Sequence, residues 1–132
     1  MNKYSQSTGQ WTRDDKFVCR GWAGNHLGKN NPEMENVHCV GPLPQGKYKL
    51  RWIDENTANM TDQAHMRKLG TLIAELIPDS SNNMFGRSGF FLHGPSKDLA
   101  KYGQESEGCI VAQRLDRLIV KNSLDLDLEV TP

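Results

Sequence analysis

Turn-forming residues interrupt the first half of the chain at short intervals, and this feature most restricts the fold. Glycine, proline and asparagine cluster at residues 28–32 (GKNNP), at Gly41-Pro42 and at residues 44–46 (PQG). Such clusters mark turns and leave little room for long helices. The intervening segments, such as residues 10–22 (QWTRDDKFVCRGW), are short and carry aromatic and β-branched residues. Segments of this kind are typical of strands, so the chain is predicted to be mainly β.

The clearest predicted strand covers residues 46–53, GKYKLRWI. The apolar residues Tyr48, Leu50 and Trp52 alternate there with the charged residues Lys47, Lys49 and Arg51. A period of two places one set on a buried face and the other in solvent. Residues 70–78 (GTLIAELIP) and 89–93 (GFFLH) are also predicted to be strands, ended by Pro78 and by Gly94-Pro95 respectively.

The remaining pattern adds helices to this β-rich chain. Residues 56–69 (NTANMTDQAHMRKL) carry a weak apolar stripe, which fits a short surface helix or a long loop, with the helix preferred. In residues 111–123, Leu115, Leu118 and Ile119 recur at spacings of three and four, which predicts an amphipathic helix directly after Cys109. The alternating tail LDLDLEV predicts a closing strand. The expected fold is a mostly antiparallel α+β domain.

Composition and charge limit the number of domains and the partners. The chain has 132 residues and 36% apolar content, which suits one domain over residues 1–132. Sixteen basic and sixteen acidic residues cancel without forming a basic run, so nucleic acid is not an expected partner. No window approaches the roughly 20 apolar residues of a membrane span, and MNKYSQSTGQ lacks the apolar core of a secretory signal. Synthesis in the cytoplasm without a signal peptide, and no membrane insertion, are therefore expected.

The three cysteines, Cys19, Cys39 and Cys109, do not have the C-x-x-C spacing of a zinc site. No metal site is predicted. An odd number of cysteines fits either one disulfide with one free thiol or three reduced thiols. The histidines His26, His38 and His65 have no evident partners and are interpreted as surface or loop residues.

Residues 89–111, GFFLHGPSKDLAKYGQESEGCIV, place His93 and Cys109 at the two ends of one loop. A thiol becomes an effective nucleophile when a base takes its proton and N–H donors hold the oxyanion. His93 is the candidate base, Gly108 allows close backbone approach, and Ser106 is expected to orient the loop or the imidazole. A helix starting beside Cys109 would lower the pKa of its thiol. The alternative is a buried structural cysteine near an ordinary strand-end histidine.

The segment HGPSKDLAKYGQESEGCIV resembles the signature of L,D-transpeptidase catalytic domains. That signature is a His-Gly pair, a dozen or so residues, and then Ser/Thr-x-Gly-Cys followed by an aliphatic residue. Upstream, GPLPQGKYKLRW resembles a strand of the same family. With YSQSTGQW and GWAGNHLGKNNP, the chain is most similar to small type VI secretion effectors of that superfamily. The resemblance implies an L,D-transpeptidase-like β-sandwich or barrel with Cys109 as nucleophile, His93 as base, and Ser106 and Gly108 beside them.

The chain departs from the conventional L,D-transpeptidase pattern at two positions. Glu107 replaces the histidine that precedes Gly-Cys, and Val111 stands where arginine or asparagine is common. Arg114 or Arg117 is then expected to hold the substrate carboxylate through paired N–H donors. The residues assigned to the substrate groove are Gly94, Glu107, Arg114 and Asn30.

The resemblance implies an antibacterial enzyme that acts on peptidoglycan tetrapeptide stems. The thiolate of Cys109 attacks the carbonyl of the third stem residue, the terminal D-alanine leaves, and a thioester remains. Water then gives L,D-carboxypeptidase activity, whereas an incoming D-amino acid gives L,D-transpeptidase exchange, and both outcomes stay open. No cofactor is implied. The competing hypothesis is a catalytically silent wall-binding or toxin-adaptor module with the same fold.

The same resemblance implies a route and a set of partners. A type VI secretion apparatus would deliver the protein to the periplasm of a target cell, and a cognate immunity protein would protect the producer. Because that compartment is oxidising, a disulfide between Cys19 and Cys39 is one expectation once Cys109 is assigned as the nucleophile, and two reduced thiols are the alternative.

Overall fold

The computed structural model describes residues 1–98, 101–103 and 106–132. Within these residues the chain forms nine strands, two α-helices and two short 3-10 turns. The strands β1 to β9 cover Asn2–Ser5, Gln10–Arg13, Lys16–Arg20, Trp22–Ala23, Gly46–Trp52, Ala74–Pro78, Phe91–His93, Ile110–Val111 and Asp127–Thr131. The helices α1 and α2 cover Met60–Leu69 and Arg114–Asn122, and the 3-10 turns cover His26–Gly28 and Pro32–Met34.

All nine strands of the described residues belong to one sheet that closes almost completely. Its order is β3-β2-β1-β9-β5-β6-β7-β8-β4, so the edge strands β3 and β4 follow each other in the chain. Because Gly21 alone separates them, the sheet has to curl until its two edges meet. At this seam the Gly21 N–H donates to the carbonyl of Gly9 at 2.8 Å, and a Cβ on Gly21 would overlap the carbonyl oxygen of Val111. The prediction of a mainly β, barrel-like α+β fold is confirmed.

Two of the pairings among the described strands are parallel. They join β1 to β9 and β7 to β8, and the other six are antiparallel. The tail forms a strand as predicted, but β9 lies in the middle of the sheet between β1 and β5. Its partner β1 is four residues long and largely polar, so no pattern predicted it. Asn2 of β1 is buried and its side-chain amide donates to the carbonyls of Asp125 and Asp127.

The interior of the barrel is filled by residues that alternate along the strands. On β5, Tyr48 and Leu50 are buried and Trp52 is half-buried, whereas Lys47, Lys49 and Arg51 are exposed, as predicted. The largest fully buried side chains of the described residues include Trp11, Tyr4, Leu76, Leu92, Ile110, Leu128, Val120 and Val130. These residues come from strands all around the sheet and from α2, so the core lies inside the barrel.

Helix α1 covers part of the outer face of the barrel. The side chain of Asn59 caps its first turn by accepting from the Asp62 N–H at 2.8 Å, and Arg51 of β5 binds the carboxylate of Asp62 at 2.8 Å. Ile53, Ile73 and Phe91 form a small second cluster under this helix, and Cys109 packs against it. The helix expected in residues 56–69 is therefore present, and it forms a layer outside the sheet.

Helix α2 is present but does not start beside Cys109. Ile110 and Val111 first form β8, so the helix begins at Arg114, five residues after the cysteine. The partial charge of a helix end falls off within one turn. The expectation that a helix N-terminus lowers the pKa of Cys109 is therefore wrong.

The amphipathic pattern of α2 is also reversed. Leu115, Leu118 and Ile119 are 74%, 40% and 49% exposed, whereas Arg117 and Val120 face the barrel. Arg117 takes the inward position because three backbone carbonyls meet its guanidinium there. Neither helix of the described residues is long and apolar enough to cross a bilayer.

Candidate active site

The register of two parallel strands brings His93 and Cys109 to the same face of the sheet. Leu92 lies opposite Ile110, and His93 lies opposite Val111. Leu92 and Ile110 both point into the core of the barrel. Because successive side chains alternate between faces, His93 and Cys109 point outward, toward the layer that α1 covers.

Both residues line one cleft of about 360 Å³ on this outer face. His65 and Lys68 of α1 form one wall, and the loop that carries His38 and Cys39 forms another. The ring of His65 packs against the ring of Phe91, with 4.6 Å between the ring centroids and 44° between the ring planes. The structure thus brings together the two residues that the sequence analysis named as nucleophile and base.

The sulfur of Cys109 is held by backbone groups. The N–H of Phe91 donates to Sγ at 3.3 Å, and Sγ lies 3.9 Å from the carbonyl oxygen of Gly89. Burial raises the pKa of the thiol, whereas the Phe91 N–H and, next, the charge of Lys68 lower that pKa. Glu107 raises the pKa, and its effect is smaller than that of Lys68. Cys109 is half-buried, and a thiol of this kind needs a nearby base to become a thiolate.

His93 has a defined tautomer at its backbone contact. The side chain is buried, and Nδ1 lies 2.8 Å from the carbonyl oxygen of Gly94. A carbonyl oxygen only accepts, so Nδ1 carries the proton in this bond and the lone pair of the neutral ring is on Nε2. Gly94 lies so close to Arg117 that a Cβ would collide with the guanidinium. Arg117 therefore leaves no room for a side chain at Gly94, whose carbonyl binds the imidazole.

Ser106 fixes the backbone of the 106–109 loop, which carries Cys109. Its side chain is fully buried, and Oγ accepts from the N–H groups of Gly24 at 3.0 Å and Gly108 at 3.1 Å. The same hydroxyl donates to the carbonyl of Cys109 at 2.6 Å. Of the two roles expected for Ser106, these contacts favour orientation of the loop.

Gly108 is required by space and by backbone geometry. Its φ is +130°, and a Cβ would lie 2.6 Å from the ring of Phe90. Because its N–H is bonded to Ser106, this group is not available for a substrate oxyanion. The N–H group that donates to the sulfur belongs instead to Phe91.

Arg87 is a structural residue of the site that sequence reasoning missed. Its buried guanidinium donates to four backbone carbonyls, those of Glu35, Gly41, Pro42 and Glu107, at 2.5 to 3.0 Å. It therefore ties the 35–42 loop to the 106–109 loop. No local pattern could have revealed it, because its partners are carbonyls, which every residue carries.

The residues expected to hold substrate are only partly brought to the cleft. Glu107 lies exposed at its mouth. Arg114 instead donates to the hydroxyl of Thr71 at 3.1 Å, and Asn30 accepts from the N–H of Ala23 at 3.1 Å. Arg117 is bonded to the carbonyls of Ala112, Thr71 and Leu72. These three residues do not line the cleft.

The predicted disulfide is wrong. Cys19 is buried in the barrel core and Cys39 is exposed on the loop beside the cleft, and both thiols are free, as is that of Cys109. The two residues lie on opposite sides of the sheet layer, so no bond joins them. Burial raises the pKa of Cys19 to about 12, which makes it an unreactive thiol.

Two histidines that were interpreted from the sequence as surface or loop residues belong to the wall of the cleft. His38 and His65 both line it, and Nε2 of His38 lies 3.0 Å from the carbonyl oxygen of Phe85. Across residues 1–98, 101–103 and 106–132, no group of three or more His, Cys, Asp or Glu residues has an arrangement that could hold a metal ion.

Comparison of the sequence with known protein families identifies the group to which the chain belongs. No curated protein matches the chain. The Tlde1 domain family matches residues 18–127, a range that contains the whole segment from His93 to Cys109. This range covers most of the chain, and the chain therefore belongs to the Tlde1 domain family, a family of type VI secretion effectors.

Proposed function

We propose that the protein is an antibacterial cysteine enzyme that removes or exchanges the terminal D-alanine of peptidoglycan tetrapeptide stems. The supporting observation is that His93 and Cys109 share the outer face of two adjacent parallel strands and open into one cleft. Membership of a type VI effector family supports delivery into a target cell and a cognate immunity partner. The periplasm is the proposed compartment, because the stem peptides lie there.

In the first half-reaction, Nε2 of His93 takes the proton of the Cys109 thiol, and the thiolate attacks the carbonyl carbon of the third stem residue. The N–H group of Phe91 lies at the sulfur, and this group and the N–H of Cys109 are proposed to donate to the oxyanion. The carbon–nitrogen bond to D-alanine then breaks as the imidazolium gives its proton to the leaving amine. A thioester between Cys109 and the tripeptide remains.

In the second half-reaction, the same imidazole takes a proton from the incoming nucleophile. Water releases the tripeptide, whereas a D-amino acid amine forms a new amide bond, and the thiol is restored in both cases. His93 suits both steps because the bond from Nδ1 to Gly94 keeps the basic nitrogen on the other side of the ring. Every proton that leaves one group has an acceptor, so the cycle needs no cofactor.

Incubation of the purified protein with tetrapeptide muropeptides, followed by mass analysis, tests this proposal. We expect tripeptide products, and exchanged tetrapeptides when D-methionine is added. Cys109→Ala should give neither product. Intact substrate with the wild-type protein, whose fold is verified by circular dichroism, would overturn the enzyme proposal. Retained muropeptide binding in that case would favour the silent wall-binding module.

A further inference from the structure

Lys68 is a cation beside the thiol whose charge is not paired among the described residues. It lies in the last turn of α1, is exposed, and lines the cleft that contains Cys109. None of the salt bridges within residues 1–98, 101–103 and 106–132 involves it. Its charge acts on the Cys109 sulfur more strongly than the charge of Glu107 does.

The other cations near the cleft are occupied. Arg87 also lines it, but its guanidinium is bonded to four backbone carbonyls. Arg117 is bonded to three carbonyls, and Arg114 contacts Thr71 outside the cleft. Lys68 is thus the lysine or arginine of the described cleft lining that remains available to an anionic ligand.

The neighbouring histidine completes a polar wall. His65 lies one helical turn before Lys68 and also lines the cleft. Residues three apart on a helix are neighbours on its surface. The ring of His65 packs at a tilt against Phe91, the residue whose N–H donates to the sulfur. An anion bound to this wall would therefore lie next to the reacting thiol.

We infer that Lys68 and His65 form an anion subsite that binds the terminal carboxylate of the tetrapeptide stem. This inference rests on the proposed function. In such a stem the carboxylate of D-alanine is three bonds from the scissile carbonyl carbon, so an anion subsite beside the sulfur is where the bound substrate needs it. The subsite selects stems that end in a free carboxylate, and it takes the role expected of Arg114 or Arg117.

A first experiment tests the subsite without any substrate. Cys109 is alkylated with iodoacetate, an anion, and with iodoacetamide, its neutral counterpart, and labelling is quantified by peptide mass spectrometry. Because both reagents react with the thiolate, the ratio of their rates does not depend on the fraction of Cys109 that is deprotonated. Lys68→Met should lower this ratio by about fivefold, because a screened ion pair is lost.

The matched control is Arg67→Met, which removes one positive charge from the adjacent exposed position of α1 that does not line the cleft. It should leave the ratio unchanged, and Lys68→Arg should restore most of it. An equal fall for Lys68→Met and Arg67→Met, or no fall for either, would overturn the subsite.

A second experiment uses tetrapeptides that end in a free D-alanine carboxylate or in its carboxamide. The wild-type protein should prefer the carboxylate by about tenfold in kcat/KM, and Lys68→Met should lose this preference mainly through a higher KM. A preference that persists in Lys68→Met would contradict the inference. If no protein converts any tetrapeptide, the proposed function fails, and the assignment to the stem carboxylate fails with it, whereas the alkylation ratio still decides whether an anion subsite exists.

Discussion

The inner and outer sides of the sheet each hold one cysteine, and the two thiols differ both in burial and in their polar neighbours. Cys19 of β3 lies in the core, opposite Trp11 on β2, and burial raises its pKa to about 12. Burial also raises the pKa of Cys109, but an N–H group and a lysine charge oppose that effect there. His93 lines the same cleft. Burial without such neighbours keeps the Cys19 thiol protonated and unreactive. At Cys109, the polar groups of the cleft favour the thiolate and oppose the effect of burial.

The largest expected effect is on tetrapeptide turnover, which should depend on Cys109 and hardly on Cys19. Cys109→Ala and His93→Ala should each lower tetrapeptide turnover by at least about a thousandfold, because nucleophile and base act as a unit. Cys19→Ala should leave turnover nearly unchanged but lower the free energy of unfolding by about 1 kcal/mol through a small cavity. Turnover is measured with muropeptides, and stability by urea unfolding.

Labelling of the native protein gives the control for this comparison. Iodoacetamide should modify Cys109 and the exposed Cys39 in the folded state, and Cys19 only after unfolding. Turnover that survives in Cys109→Ala, or rapid labelling of Cys19 in the native protein, would remove the distinction between the two sides of the sheet.

Much of the barrel could be predicted from local patterns. Strand β5 was predicted because Tyr48 and Leu50 alternate with lysines on a half-exposed surface. The His93 to Cys109 segment was assigned through its motif, and the structure places both ends in one cleft. The strand prediction succeeded because side-chain alternation is a property of a short stretch of chain, whereas the chemical roles of His93 and Cys109 stay predictions.

Other features depend on contacts between distant segments, which no local pattern encodes. Strand β1 is defined by its parallel partner β9, more than a hundred residues away. Helix α2 turns Arg117 inward because the carbonyls of Thr71 and Leu72 meet it there. His65 and Lys68 reach the cleft only because α1 packs on the outer face of the sheet. Polar contacts of this kind overrode the apolar periodicity of α2.

A smaller effect is expected from Ser106, which holds the backbone beside Cys109 on the outer side of the sheet. Ser106→Ala would leave the N–H groups of Gly24 and Gly108 buried without their acceptor. We expect a loss of about 1–3 kcal/mol in unfolding free energy and a tenfold or so decrease in turnover, with the pH optimum unchanged because the base is intact. Ser7→Ala is the control, since Ser7 is exposed. A shifted pH optimum would show that Ser106 acts on His93 and does more than position the loop.

The smallest effect concerns Glu107, the exposed carboxylate at the mouth of the cleft. A negative charge near a thiol disfavours the thiolate, and Glu107 raises the pKa of Cys109. Glu107→Gln should therefore lower the apparent pKa of the thiol, so that alkylation by iodoacetamide is a few times faster below that pKa. Because the side chain is exposed, 1 M salt should remove most of the difference.

The same substitution should also change how the thioester is resolved. A carboxylate at the mouth attracts the ammonium group of an incoming amino acid, so Glu107→Gln should lower the ratio of exchange to hydrolysis when D-methionine is added. Glu33→Gln is the matched control, because Glu33 is exposed and does not line the cleft. The alkylation rate is measured against pH, and the product ratio by mass. If Glu107→Gln and Glu33→Gln behave alike in both assays, Glu107 is a solvated loop residue, and the electrostatic contrast between the two thiols depends on Lys68 and the backbone N–H groups.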